Sequence, residues 1–451
     1  MKQLKLSIIT GMFVIFTLVL YMTAATSHAQ ALAMSPIDKL QDLIDQTKAG
    51  QTVRLPAGIY EGTLIINKPL HLLAEQETRI VNTSKNPAVS ITADGVKLEG
   101  LTITQNAEEE SSAVFVSANE VVLEKLIIYT RSFGILLRDA DRNEIIDCRI
   151  EWLERPDLPP VKLSEKRNGI DLYHSHENTI LQNDITGMND GIYLESSHKS
   201  AVERNRIKNS RYGVHCMYTE ETIVRGNTGM FNITGAMVMG VKDAEVSGNS
   251  FMKQSESVNS QGLLLFDVQT SRIYDNKVEG NRVGLYIEQS NKNELWNNDV
   301  FQNFVGIQLL ESEGNRFTAN RFIGNVIDAE SADSVDNELY GNFWDSFRGI
   351  DTDKDGMSDI AYAINPFFQS LTSDTPAYQL FFQSPGMVFL ESMMSAGKEE
   401  WTTDNAPLMS PDKEEDELSP SSNSVVGVTA ISFLLLAISI TTITVTGVKR
   451  R

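Results

Sequence analysis

Eight asparagines, Asn183, Asn205, Asn227, Asn249, Asn276, Asn298, Asn320 and Asn342, are separated by 22, 22, 22, 27, 22, 22 and 22 residues. A fixed period of this length marks a stack of repeated units rather than an ordinary globular core. A second series keeps the same beat: Gly169, Gly191, Gly213, Gly235, Gly262, Gly284 and Gly306, each opening a short strand such as Gly169-Ile170-Asp171-Leu172-Tyr173. Five extra residues near Ser255 to Ser260 account for the single long interval. A repeat this short cannot hold a helical hairpin, and its alternating strands with Gly and Asn at the corners suit coils stacked in parallel. The expected fold is therefore all-β, a right-handed parallel β-helix of about 22-residue coils over residues 51–345. Corner asparagines would form ladders that satisfy turn backbone groups. Earlier coils, from Val53 to about Ile150, are less regular, and a loop with Pro156, Pro159 and Pro160 precedes the regular series.

Successive strand residues point to opposite faces. Counting from each glycine, the first and third positions are apolar throughout: Ile170/Leu172, Ile192/Leu194, Val214/Cys216, Ala236/Val238, Leu263/Leu265, Leu285/Ile287 and Ile307/Leu309. These should point inward. Cys216 then falls inside and Cys148 at an Asn-like corner. Three coils of strand spacing put them on the order of 14 Å apart, too far to bridge.

The second and fourth positions should point outward, stacking Asp171, Tyr193, His215 and Met237 in one column and Tyr173, Glu195, Met217 and Met239 in the other. His215, Met217, Met237 and Met239 thus share two adjacent strands of one exposed face. Thioether and imidazole suit cuprous copper; methionines also make an adaptable docking surface. The residues alone allow both readings. Leu264 and Phe266 continue the face as an apolar partner surface, and His174, His176 and His198, grouped near a corner, are secondary metal candidates.

At the N-terminus, Lys2 and Lys5, an apolar run and Ser27-His28-Ala29 read as a secretory signal over residues 1–29. Ser35-Pro36 with Ile37, Leu40, Leu43, Ile44 and Gly50 reads as a capping helix over 35–50, covering the open end of the stack. Val425 to Val448 has no charge and precedes Lys449, Arg450 and Arg451, the pattern of a transmembrane helix with a cytoplasmic basic end at 449–451. The bulk of the chain is then extracytoplasmic and membrane-anchored. A formal charge of −21 argues against nucleic acid as a partner.

Between stack and span, residues 346–392 hold an acidic loop and an aromatic tail. Asp351, Asp353, Asp355 and Asp359 with Gly356 follow a calcium-loop layout, although Tyr362 stands where the bidentate glutamate belongs. Tyr378, Phe381 and Phe382 lie in the tail, which covers either the last coil or a partner. Residues 393–424 are acidic and rich in Ser and Pro, the composition of a flexible linker.

Five stretches, Arg167–Tyr173 (RNGIDLY), Asp190–Glu195 (DGIYLE), Arg211–His215 (RYGVH), Gly284–Glu288 (GLYIE) and the tail Pro376–Leu380 through Gln383–Met387, resemble the NosD family of nitrous oxide reductase maturation proteins. The resemblance covers roughly residues 35–392 and is specific in its second half. It implies a β-helical accessory protein, not an enzyme, acting with an ABC transporter permease and a copper chaperone to supply the copper-sulfide cluster of nitrous oxide reductase. Copper would be a transient guest and calcium a possible structural ion. The span at Val425 to Val448 departs from the freely soluble periplasmic form of that family and suggests a tethered version.

The rival reading is a β-helical carbohydrate-active enzyme or carbohydrate-binding protein, since fold alone does not decide function. Asp171 and Glu195 lie in different columns, and no convergent acid/base set stands out.

Overall fold

The computed structural model describes residues 34–411 apart from 108–109, 255–256, 258–259, 382–383 and 394–400. Three long sheets run the length of the stack, with 14, 15 and 12 strands, and each coil contributes one strand to each sheet along the regular series. Pairing is parallel throughout the coils, with partners 22 residues apart along most of the regular series, as in Ile185↔Ile207 and Val202↔Val224. This is the expected parallel β-helix.

Every inward pair from Ile170/Leu172 to Ile307/Leu309 is buried, and they form one continuous core with the early coils. Each fully buried aliphatic side chain contributes roughly 1.5–3 kcal/mol of burial free energy. Both cysteines are buried and free, as expected. Burial pushes each thiol up to about 12.

The corners explain the asparagines. The residue before each ladder asparagine takes a left-handed conformation: Gln182, Arg204, Gly226, Gly248, Asp275, Asn297, Ala319 and Gly341 all have positive φ. That conformation costs a non-glycine residue about 1–2 kcal/mol. The asparagine offsets this by binding both neighbouring coils. Asn205 donates its backbone N–H to Asn227 Oδ1 at 2.9 Å and its Nδ2 to the Ile180 carbonyl at 2.9 Å. The ladder begins at Cys148, whose N–H donates to Asn183 Oδ1, and runs unbroken to Asn342. A parallel ladder through Asn232, Gln254, Asn281, Asn303 and Asn325 lines a second corner.

The N-terminal cap differs in its boundaries. Met34–Pro36 adds a strand to the first sheet, and the helix covers only Asp38–Gln46. Proline suits an edge strand because it has no N–H to donate. Leu40 and Ile44 of the helix are buried over the first coil, with Ile37 and Leu43 packed beside them.

The C-terminal closure corrects the linker expectation. Part of the stretch read as flexible, Thr403–Asp404, forms a strand paired with Glu338–Tyr340 and with Tyr362–Ala363. Asp404 is fully buried; it accepts from Asn342 N and Nδ2 at 3.1 and 2.9 Å and from Trp344 Nε1 at 3.0 Å. A lone aspartate in an acidic stretch gives no hint that it completes a ladder.

Among the described residues no helix is long and apolar enough to cross a membrane. The expected signal at 1–29, the span Val425–Val448, the basic end at 449–451 and the linker beyond residue 411 lie outside the described residues.

Candidate functional site

The third sheet carries the strands that follow the repeat glycines, and its outer face holds three columns rather than two. Register is kept on both sides of each glycine, with Asp190 opposite Tyr212 and Ile192 opposite Val214. A Cβ at Gly213 would collide with the Gly235 carbonyl. Strict alternation fails across the glycine within the strand, and the residue before it meets the outer face, as the contacts of Asp190 and Tyr212 with His215 show. Asn168, Asp190, Tyr212 and Thr234 form this extra column, which alternation counted from the glycine misses. The signal was present: these residues also recur at 22.

Asp190 is the anchor of the site. Its carboxylate, almost wholly buried, accepts from Arg211 Nε and Nη2 at 2.9 and 2.8 Å and meets His215 Nδ1 at 3.0 Å. Burial would raise this carboxyl, but the bonds from His215 and Arg211 outweigh it and hold the group below the usual range. The Arg211 guanidinium also lies 4.5 Å from the centre of the Tyr212 ring.

His215 corrects an expectation. It sits in the outward column, yet it is only 6% exposed, because Tyr193 and Tyr212 pack against it with ring centres 4.9 and 4.8 Å away. With Asp190 ionised, Nδ1 carries the proton in that contact. Nε2 is buried and has no hydrogen-bond partner among the described residues. In the neutral ring that atom holds a free lone pair, a ligand for a soft cation or a base.

The methionines stand beside it. Met237 is in register with His215, and Met239 with Met217, all three half-buried. The Tyr193 hydroxyl donates to Glu195 Oε2 at 2.8 Å and lies 4.0 Å from Met217 Sδ. Leu264 and Phe266 follow in register and are also half-buried. One coil before Asp190, Asp171 is buried, with Arg138 at 2.7 Å and Asn168 Nδ2 at 2.7 Å. Burial raises its carboxyl despite both partners.

The secondary histidines have a different task. His176 and His198 stack with ring centres 5.0 Å apart, and their Nδ1 atoms accept backbone N–H groups of the next coil, from His198 and Glu220, at 3.1 Å each. These lone pairs are already used in a turn ladder. His174 stacks on Tyr173 instead, at 4.1 Å. The three do not converge on a metal.

In the acidic loop, Asp351, Asp353 and Asp355 offer carboxylate oxygens within 4.8 Å of one another. Asp359 is not in that group, because it accepts from Thr352 N and Oγ1 at 2.8 and 2.6 Å. Asp351 and its neighbours also accept the loop's own N–H groups, which explains the turn without an ion. In the tail, Tyr378 and Phe381 are exposed and Phe382 lies outside the described residues, whereas Met387 packs on Val283, Val305 and Ile327.

Comparison with known proteins agrees with this architecture. Residues 72–228 match the right-handed β-helix region, and residues 155–349 match the family described as periplasmic copper-binding protein (NosD). A Pseudomonas aeruginosa protein named probable ABC transporter binding protein NosD is 30% identical over 124 residues, 26% of this chain and 28% of that protein. The matched stretch thus spans under a third of the relative's length.

Among solved structures, the A-module of the Azotobacter vinelandii mannuronan C-5 epimerase AlgE4 aligns at TM-score 0.57 and 14% identity, over 68% of this chain and 98% of that one. A mannuronic acid specific polysaccharide family 6 lyase from human gut microbiota aligns at 0.53 and 13%, over 69% and 86%. At such identity these show a shared fold and nothing of chemistry. The coils that carry Asp190, His215 and the methionines fall inside residues 155–349, the stretch that matches the NosD family.

Proposed function

We propose that this protein works outside the cytoplasm as an accessory factor in maturation of nitrous oxide reductase, taking cuprous copper as cargo on the outer face of the third sheet. His215 Nε2 and the sulfurs of Met217, Met237 and Met239 would receive the ion. The single observation that carries this reading is the buried Nε2 of His215, without a hydrogen-bond partner among the described residues, beside a methionine in register with it. A buried polar atom without a partner costs about 1–3 kcal/mol, which a guest would relieve. Imidazole and thioether are a soft donor set, suited to Cu(I) and ill suited to hard cations.

Asp190 and Arg211 would set the site without touching the ion, since Asp190 fixes the imidazole tautomer and Arg211 balances the buried charge. The copper would come from a chaperone and pass toward the copper-sulfide cluster, with an ABC transporter permease as membrane partner; the relative's name supports the transporter association. No bond-breaking step is assigned to this chain. Methionine sulfurs contribute nothing to sugar cleavage, which favours the cargo reading over a carbohydrate enzyme.

The test is anaerobic Cu(I) titration of the full chain against a chromophoric chelator, beside a variant with Met217, Met237 and Met239 all changed to Leu and a His215→Ala variant. Binding should weaken at least tenfold in each variant while circular dichroism stays unchanged. Equal binding by all three proteins would refute the site, and no binding by any would make the face a docking surface for a partner that keeps the copper.

A further inference from the structure

The one imidazole atom that the copper reading needs is closed off. His215 Nε2 is buried, the residue is 6% exposed, and the ring is fixed at Nδ1 by the Asp190 carboxylate at 3.0 Å. Asp190 is in turn clamped by two bonds from Arg211. An ion therefore reaches Nε2 only if a neighbour moves, and the imidazole is held too firmly to be the moving part. The methionines beside it are the ion's own donors. That leaves the two aromatic rings packed on the imidazole, Tyr193 at 4.9 Å and Tyr212 at 4.8 Å between centres.

These two rings are held differently. Tyr193 stands in the central column between Asp171 and His215, and its hydroxyl is pinned to Glu195 Oε2 at 2.8 Å. Swinging it aside would break that bond. Tyr212 stands in the column before the glycine, half-buried, and its hydroxyl makes no hydrogen bond among the described residues. It meets the imidazole edge-on, at an interplanar angle of 73°. What holds it is the Arg211 guanidinium, 4.5 Å from the ring centre, a contact without a directed bond. Opposite it in the next coil is Thr234, much smaller than a ring, whose hydroxyl is donated to Gln261 Oε1 at 2.7 Å. The side of the Tyr212 ring away from Asp190 is thus bordered by a short side chain.

We propose that Tyr212 is the door of the copper site: its ring swings toward Thr234 to admit Cu(I) to His215 Nε2 and closes again over the loaded imidazole, with Arg211 as the latch. The inference rests on the copper reading of this face. One guanidinium then has two tasks, since its Nε and Nη2 hold Asp190 while its cationic face lies over Tyr212. Closing shields the bound ion from water, and opening sets the rate at which copper passes on. The donors set how tightly it is held, so affinity and transfer rate belong to different residues.

Two measurements on the full chain separate the door from the donors. In the first, without copper, diethyl pyrocarbonate at neutral pH modifies accessible imidazole nitrogens, and peptide mass spectrometry reads the rate at His215 relative to exposed His174. His215 should react at least tenfold more slowly than His174 in the parent and in Tyr212→Phe, and within about threefold of it in Tyr212→Ala. Arg211→Lys keeps a charge for Asp190 but loses the planar contact, and should quicken His215 several-fold. Because that variant leaves the ring in place, it reads opening rather than absence of the ring, and it decides the matter if circular dichroism shows Tyr212→Ala poorly folded. Tyr193→Phe, which frees the other ring from Glu195, should stay within about threefold of the parent. In the second, transfer of bound Cu(I) to a chromophoric chelator should be at least tenfold faster in Tyr212→Ala than in the parent, with a smaller change in equilibrium affinity. An unchanged His215 rate in Tyr212→Ala and Arg211→Lys, equal transfer rates, or a Tyr193→Phe effect as large as that of Tyr212→Ala would overturn the door. No copper binding by the parent, with the first measurement as expected, would overturn the copper reading and uphold Tyr212 as the cover of Nε2.

Discussion

The corner and the outer face of the same coils use one 22-residue beat in opposite ways. At the corner one residue type recurs from Asn183 to Asn342, whereas on the face Asp171, Tyr193, His215, Met237 and Leu264 follow one another and all differ. Repetition persists where each side chain must pass a hydrogen bond to the next coil, since a gap leaves buried backbone groups unpaired. On the face no such relay exists, so each coil can carry its own chemistry. Strict periodicity therefore marks what holds the stack, and departures from it mark what the stack displays.

Breaking the corner should have the largest effect. Asn298→Ala removes the acceptor of Asn276 N and Nδ2 and the donor to the Ile273 carbonyl. Leaving these buried groups unpaired should cost roughly 3–5 kcal/mol in urea unfolding. A loss below about 1 kcal/mol would mean that the ladder is not a mechanical element.

A smaller, pH-dependent effect is expected where the face runs under the tail. Glu330, near the end of the His215 column, accepts from Gln308 Nε2 at 3.0 Å, and burial pushes its carboxyl up from an ordinary 4.5 to about 7. A carboxyl raised in the folded state favours folding fully below about pH 4.5 and loses that contribution as the pH rises to about 7. The parent should therefore lose on the order of 1–3 kcal/mol more than Glu330→Gln between acid and neutral pH. Parallel stability curves for the two proteins would show that Glu330 ionises freely in place.

The smallest effect belongs to the open face itself. Met239→Leu, a swap of similar volume at a half-buried position, should change stability by less than about 1.5 kcal/mol. A loss as large as that at the corner would erase the distinction between scaffold and display.

The coil, its inward set and the Asn ladder were legible because each repeats, and repetition survives reading one chain alone. The methionines and His215 were placed on the right strands for the same reason. What escaped was a break in alternation at each glycine: the residue before it rejoins the outer face, so Asp190 and Tyr212 reach His215 and bury it. The 22-residue spacing of His176 and His198 suits a turn ladder as readily as a metal, so the sequence leaves both readings open, and the structure shows the ladder. Asp404 was hidden by distance, since its partner Asn342 lies 62 residues earlier.

That last contact has an electrical meaning. Along the asparagine column every backbone N–H points toward the following coil and every Oδ1 toward the preceding one, so these dipoles add head to tail, as peptide dipoles do in a helix. The positive pole then falls at Asn342, where two N–H groups would face nothing further. Asp404 sets a full negative charge there, as an acidic side chain does at the start of a helix. The stack ends on a counter-charge, and that makes Asn342 a terminus rather than a template for another coil.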